Sequence, residues 1–277
     1  MSDARRRLSE TIRGVVPAAS PALFKAFATV PRERFLPPGP WQVRNALGTR
    51  ITADDNPDHV YADTSVAIDA ARDLYNGQPS TVARWFDALS VREGDRVLHI
   101  GCGSGYYSAI LAMIVGASGQ VTAIDVDEPL VRAASENLKE WPWVRVQHGD
   151  GMTNLPRDID VVVIHAGASH VRQEWLDCTR AGSRLLVPLT LDFAAMGPTL
   201  GKGVAFVLSR RGDGWVAKAL TFVAIYSMQA TRDAALAATF GQAMQRGGWD
   251  KVSRLRTDAH ETEPTCWCHI LGACLST

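Results

Sequence analysis

Residues 97–112 read VLHIGCGSGYYSAILA, and this stretch decides the fold. Val97, Leu98 and Ile100 predict a short buried strand, the glycines a tight loop, and the remainder an amphipathic helix. Glycine lets the backbone turn sharply and approach a bound molecule closely. The helix that follows aims unpaired N–H groups and a positive dipole end at whatever sits there. A dinucleotide loop requires G-x-G-x-x-G. Here the glycines are Gly101, Gly103 and Gly105, and Tyr106 fills the place of a third dinucleotide glycine. A G-x-G-x-G loop suits a nucleoside whose tail ends in an amino acid, because the helix end then receives a carboxylate instead of a pyrophosphate. S-adenosylmethionine is such a molecule.

Working outward, 277 residues allow one large domain or one domain with appendages. The chain is 46% hydrophobic and 21% charged, which supports a full core and excludes a disordered protein. Lys+Arg and Asp+Glu both number 29, so no net basic charge supports nonspecific nucleic-acid binding. No apolar run approaches a membrane span, and the charged start MSDARRRLSETIRG lacks the pattern of a secretory signal. Five cysteines in a chain this long read as reduced thiols. The expected location is the cytoplasm.

Two short helices are predicted around 8–12 and 21–28, followed by VPRERFLPPGP, whose prolines predict an extended connector. Residues 41–75 are weakly patterned and predict a polar covering layer. Val82, Trp85, Phe86 and Leu89 place a helix over 80–89. From Arg96 strands alternate with helices: RVLHI, QVTAID, WVRVQ, DIDVVVIHA and SRLLVPL are strands, with helices over 104–115, 128–139 and 171–179. Strands without strict alternation, separated by helices, indicate a parallel sheet covered on both faces. GVAFVLSRRGDGWVAKALTFVAI then predicts an antiparallel hairpin turning at 211–214. A helix near 232–245 and a short strand, KVSRLRT, follow. The expected organisation is an N-terminal cap over 1–90, a cofactor-binding core over 91–227 and an extension over 228–277.

Asp125 ends the second strand of this pattern, where a carboxylate accepts both ribose hydroxyls; a turn residue opening the next helix is the alternative. Asp150 in HGDG is placed to accept the exocyclic amine of adenine, against a plain surface turn. Tyr106 and Tyr107 are pocket walls or core. Motifs for metalloprotease, hydrolase or P-loop chemistry are absent from the sequence. The tail CWCHILGACLST carries Cys266, Cys268, His269 and Cys274. Structural zinc sites usually space cysteines two to four apart in two knuckles, whereas a strand sends alternate side chains to opposite faces. The expectation is a packed terminal strand without metal.

VPRERFLP at 30–37, YADTSVAI at 61–68, and the run VVVIHAGASHVRQEWLDCTRAGSRLLVPL resemble the protein-L-isoaspartate O-methyltransferase family, with the likeness covering 20–225. The resemblance implies a Rossmann-like, class I S-adenosylmethionine-dependent methyltransferase: an α/β fold with a mostly parallel seven-stranded sheet and an antiparallel terminal hairpin, the last two strands exchanged in order. It implies S-adenosylmethionine held by Gly101, Cys102, Gly103, Ser104, Gly105, Asp125, Val126, Asp150, Gly151 and His165. Tyr61, Asp63, Ala166 and Gly167 then lie on the substrate side. The implied reaction moves a methyl group to a carboxylate of an isoaspartyl residue, giving an ester that closes to a succinimide. A carboxylate is ionised at neutral pH, its reference pKa being about 4, so no general base is expected. Where the family carries Thr-Ile-Ser-x-Pro, this chain reads Tyr75-Asn76-Gly77-Gln78-Pro79, followed by Ser80 and Thr81. Tyr75, Asn76, Gln78 and Ser80 are therefore the candidate positioning groups. The tail after Met228 resembles extensions of family members found beside peptide natural-product pathways. The implied partner is a peptide or protein carrying Asp or isoAsp; a small-molecule methyltransferase and a cofactor-binding module without turnover are the rivals.

Overall fold

The computed structural model describes residues 3–45, 47–192, 199–229 and 231–277. In chain order its elements begin with α1 (Asp3–Val15), α2 (Pro21–Thr29), β1 (Gln42–Asn45), β2 (Gly48–Ile51), β3 (Ser65–Asp69), β4 (Leu74–Asn76) and α3 (Pro79–Ala88). Then come β5 (Arg96–Ile100), α4 (Tyr106–Val115), β6 (Gln120–Asp125), α5 (Glu128–Asn137), β7 (Val144–His148), β8 (Ile159–Ile164) and α6 (Gln173–Asp177). The chain closes with β9 (Thr179–Asp192), β10 (Leu200–Arg211), β11 (Gly214–Tyr226), α7 (Ala234–Arg246), β12 (Arg254–Arg256), β13 (Cys266–Cys268) and β14 (Cys274–Ser276). Two compact units result: Met1–Arg96 with Cys102–His148, and Val97–Gly101 with Gly149–Thr277.

In the first unit, Ala4, Leu8 and Ile12 recur at four-residue spacing, and α1 buries that face. Helix α2 starts at Pro21, with the Ser20 side chain accepting from the Leu23 N–H at 3.3 Å. The proline-rich connector is more ordered than its composition predicts: Arg32–Phe35 is a 3-10 turn that buries Arg32 and Phe35. Residues 41–75 are not a mere covering layer. They form an antiparallel sheet in the order β2-β1-β3-β4, with strands too short to show a clear period in the sequence. Strands β6 and β7 pair in parallel from Val121↔Val144 to Asp125↔His148. Helix α5 is capped by Asp127, whose carboxylate accepts from the Leu130 N–H at 3.0 Å.

The strands of the second unit run in the order β13-β14-β12-β11-β10-β9-β8-β5. Pairs β5–β8 and β8–β9 are parallel, and the rest are antiparallel. Every residue of β8, IDVVVI, is buried, as expected of a strand covered on both faces. Strands β9, β10 and β11 follow one another in chain order, with the hairpin closing at Arg211↔Gly214. Beyond it the extension adds three short strands. Helix α7 belongs to the same body: Trp267 of β13 packs between Phe206 of β10 and Phe240 of α7, with ring centroids 6.0 Å from each. Arg232 ties the start of the extension to the Thr190 carbonyl at 2.9 Å. No helix among the described residues is long and apolar enough to cross a membrane.

The Cys/His tail departs from the expected single strand. It is a hairpin of β13 and β14 with a register shift between Cys266 and Cys268. Cys266, His269 and Cys274 converge with His260, which the spacing argument omitted, and Cys268 is not among these four.

Candidate active site

The glycine loop follows β5 as predicted, but α4 begins at Tyr106 rather than at Ser104. Gly105 is the reason. It caps the helix at φ +97°, and a Cβ there would stand 2.9 Å from Leu138 Cδ1. Within the loop, the Cys102 N–H donates to the Ile124 carbonyl at 3.1 Å, and the Gly103 N–H donates to Asp125 Oδ2 at 2.7 Å. Asp125 Oδ1 accepts from the Asp127 N–H at 3.0 Å. Burial pushes the Asp125 carboxyl above its ordinary range, partly offset by those N–H donors. The loop thus fixes the orientation of the carboxylate before any ligand arrives, and Val126 beside it keeps 45% of its surface exposed. Arg72 bridges Asp127 and Asp69, which anchors the same corner.

Other predicted loop residues serve the core. Ser104 Oγ donates to the Phe35 carbonyl at 2.6 Å, and the Asn137 amide donates to the Ser104 carbonyl at 3.0 Å. Cys102 is buried, and burial pushes its thiol well up, with the Asp125 charge adding to the effect. Tyr106 and Tyr107 are buried core residues, 4.9 Å apart at the ring centroids. Tyr107 also donates from its hydroxyl to the Gly77 carbonyl.

The segment 75–80 runs from the end of β4 into α3, and its amides point inward. Asn76 Oδ1 accepts from Arg32 Nη2 at 3.0 Å, while Gln78 Nε2 donates to Asp63 Oδ2 at 2.8 Å. Asp63 Oδ1 also accepts from the Ser80 N–H at 2.9 Å, so this carboxylate occupies the start of α3. Tyr75 lies under Arg44, whose guanidinium carbon is 4.2 Å from the ring centroid, and its hydroxyl pairs with Gln42. Tyr61 accepts from Arg5 Nε at 2.8 Å and from the Arg32 N–H at 3.0 Å, and it donates to Glu33. Burial, then the Glu33 contact, pushes the Tyr61 hydroxyl far up. Tyr61 and Asp63 therefore organise the segment from within.

Arg32, within VPRERFLP, is an organising residue that no local sequence signal marks for that role. It is 0% exposed. Its guanidinium donates to the carbonyls of Val60 and Thr64 at 2.9 Å each and of Gly77 at 3.1 Å, besides Asn76. The two terminal nitrogens of the cation are held by a ring of oxygens instead of a counter-ion, while Nε is buried without a partner; the ring fixes β4 and the entry to α3.

In the second unit, Asp150 Oδ1 accepts from the N–H groups of Met152 at 2.8 Å and Thr153 at 3.1 Å. Burial acts upward on this carboxyl, but those N–H donors outweigh it and hold the group low. Gly151 follows at φ +71°, and a Cβ there would meet Ile100 Cγ2 at 2.4 Å. The His165 N–H donates to the Ile100 carbonyl at 2.7 Å, and its Nδ1 lies 3.2 Å from Nε2 of the buried His99. Burial lowers the His165 imidazole to about 4. After Ala166, Gly167 donates to the Tyr226 carbonyl at 2.8 Å and accepts from the Met228 N–H at 3.0 Å. This small-residue loop is pinned to the end of β11.

The family of protein-L-isoaspartate(D-aspartate) O-methyltransferases matches residues 7–196. A protein-L-isoaspartate O-methyltransferase of Pyrobaculum neutrophilum is 27% identical, with 79% of this chain and 96% of that protein aligned. One from Opitutus terrae is 33% identical, over 61% of this chain and 65% of its own length. Among solved structures, a protein-L-isoaspartate O-methyltransferase superposes with a TM-score of 0.66 at 22% identity, covering 87% of this chain and 69% of that one. A Plasmodium falciparum relative, solved with S-adenosyl-L-homocysteine, gives 0.63 at 17% identity, covering 83% of this chain and all (100%) of that one. These likenesses establish the class I fold. The family's cofactor is S-adenosylmethionine, and the residues present fit it: the backbone N–H groups of Gly103 in the loop and of Asp127 hold the Asp125 carboxylate, next to the exposed apolar face of Val126. The chain therefore belongs to the protein-L-isoaspartate(D-aspartate) O-methyltransferase family and is an S-adenosylmethionine-dependent methyltransferase.

Proposed function

We propose that the chain methylates the side-chain carboxylate of an aspartyl or isoaspartyl residue, and that its substrate is one dedicated peptide rather than aged protein in general. The observation that carries the dedicated reading is the inward bonding of segment 75–80. Repair of many sequences requires a grip on the carboxylate and adjacent backbone alone. Here the family's two hydroxyl positions hold Tyr75 and Gly77, and the neighbouring amides turn inward, Asn76 Oδ1 to Arg32 and Gln78 Nε2 to Asp63. The grip on substrate must therefore involve other groups, Ser80 among them, and its selectivity changes accordingly.

S-adenosylmethionine supplies an activated methyl group on a sulfonium. Asp125 accepts the ribose hydroxyls, Asp150 the adenine amine through the carboxylate oxygen that its turn leaves over, and the loop 101–105 lines the amino-acid end. Asp63 fixes the start of α3 against the acceptor side. The acceptor carboxylate is already ionised, so the chain's task is alignment, not proton removal. Ester formation then sets up attack by the next backbone nitrogen and closure to a succinimide. Five cysteines without a disulfide fit a reducing compartment such as the cytoplasm.

The test is mass spectrometry for methyl gain, and for methanol loss on closure. The panel contains unrelated isoaspartyl peptides, small carboxylic acids, and the products of short reading frames beside the gene. Turnover of one such product far above the rest is expected. Comparable turnover of unrelated isoaspartyl peptides restores general repair; the names of the relatives specify only methylation of protein L-isoaspartate. Methylation of small molecules alone removes both readings.

A further inference from the structure

The C-terminal extension brings together four side chains of a kind that bind metal. One nitrogen or sulfur atom from each of His260, Cys266, His269 and Cys274 lies within 4.8 Å of the others. Zn–N distances of about 2.0–2.1 Å and Zn–S of about 2.3 Å set tetrahedral edges of roughly 3.3–3.8 Å, so small side-chain rotations close the set. One edge is already at that length, with Cys266 Sγ 3.6 Å from His260 Nε2.

The surroundings are those of a ligand set. His260 Nδ1 faces the Asp258 carbonyl at 2.9 Å, which keeps the ring proton there and turns Nε2 toward the sulfur. Arg256 holds Asp258 at 2.8 Å and Glu263 at 2.7 Å, closing the loop that carries His260. The Glu263 N–H donates to Cys266 Sγ at 3.3 Å, a contact that favours a thiolate. His269 Nδ1 is buried without a hydrogen-bond partner, and its ring lies edge-on to His260 with centroids 4.8 Å apart. A buried nitrogen of that kind requires something to bind.

We propose that His260, Cys266, His269 and Cys274 form a structural zinc site that fastens strands β12, β13 and β14 together. Two thiolates and two imidazoles make a closed tetrahedral set suited to zinc, with no open position for catalysis. Each of the three strands spans only three residues, and a metal cross-link supplies the cohesion such short ladders lack. This assignment is independent of the methyl-transfer reading.

The test is elemental analysis of the full chain, purified under reducing conditions without affinity metal. About one zinc per chain is expected. Cys266→Ser, Cys274→Ser and His260→Ala each lose it, while Cys268→Ser retains it. Because the first three variants can also misfold, the wild type is stripped with a chelator and titrated with cobalt. Thiolate-to-cobalt absorption with tetrahedral ligand-field bands is expected at one equivalent, and zinc addition raises the melting temperature. Wild-type chain that is zinc-free and takes up no cobalt overturns the proposal. So does a Cys266–Cys274 disulfide in that reduced preparation, or full zinc content in the His260 and Cys266 variants.

Discussion

Asp125 shows how much one residue's role depends on what its neighbours leave over. Gly103 and Asp127 each donate one N–H, leaving lone pairs on both carboxylate oxygens for a diol. Burial strengthens whatever those lone pairs accept. Charge-assisted hydrogen bonds contribute about 1.5–3 kcal/mol, so Asp125→Ala is expected to weaken S-adenosylmethionine binding about tenfold or more. Calorimetry that finds unchanged affinity removes the ribose role. Residue type and strand-end position made Asp125 legible in the sequence. Asn76 and Gln78 were not legible in the same way: a side-chain amide looks identical on the page whether it faces a substrate or a buried Arg32.

The segment from β4 into α3 depends on Arg32, which lies more than forty positions earlier in the chain. No local propensity encodes that contact. Arg32→Met keeps the apolar length but removes the Arg32 donor from the oxygens of Val60, Thr64 and Asn76 and leaves the Gly77 carbonyl with Tyr107 alone. Each buried acceptor left unsatisfied costs about 1–3 kcal/mol, so the variant is expected to lose about 3 kcal/mol or more of stability. Turnover should fall further than cofactor affinity, because the glycine loop and Asp125 do not use this guanidinium. Denaturant midpoints equal to wild type contradict that role. Elements were legible where they were long and apolar, as in β8 and β10. The short strands β1 to β4 were missed because three to five residues carry too little periodicity, and pairing across the sheet supplies what propensity lacks.

Acid stability tests the molecule as a whole, because it sums the protonation of all buried groups. Burial holds His165 at about 4 against 6.5 in the unfolded chain, and His99 also lies well below 6.5, from burial and then the His165 charge. Below pH 6.5 the unfolded chain therefore binds protons that the folded chain refuses. Stability is greatest above that value and falls as pH drops from 6.5 toward 4, with His165 alone contributing up to about 3 kcal/mol to the loss. His165→Gln should flatten this limb in urea titrations at pH 7 and 4.5. Identical limbs for the two proteins contradict the assignment.

By itself the sequence determined the class of fold, the glycine loop, Asp125 at its strand end, and the hairpin β10–β11. All of these are written in contiguous residues, where glycine stereochemistry and hydrophobic period act locally. The tertiary structure alone decided which polar groups meet. It turned the amides of segment 75–80 inward and joined Tyr61, Glu33, Arg5 and Arg32 into one network. It also gathered His260 with Cys266, His269 and Cys274, where spacing argued for a packed strand without metal. The physical reason is that a strand's alternation holds only while its register holds. The shift between Cys266 and Cys268, with the turn between β13 and β14, sets side chains from three segments facing one another.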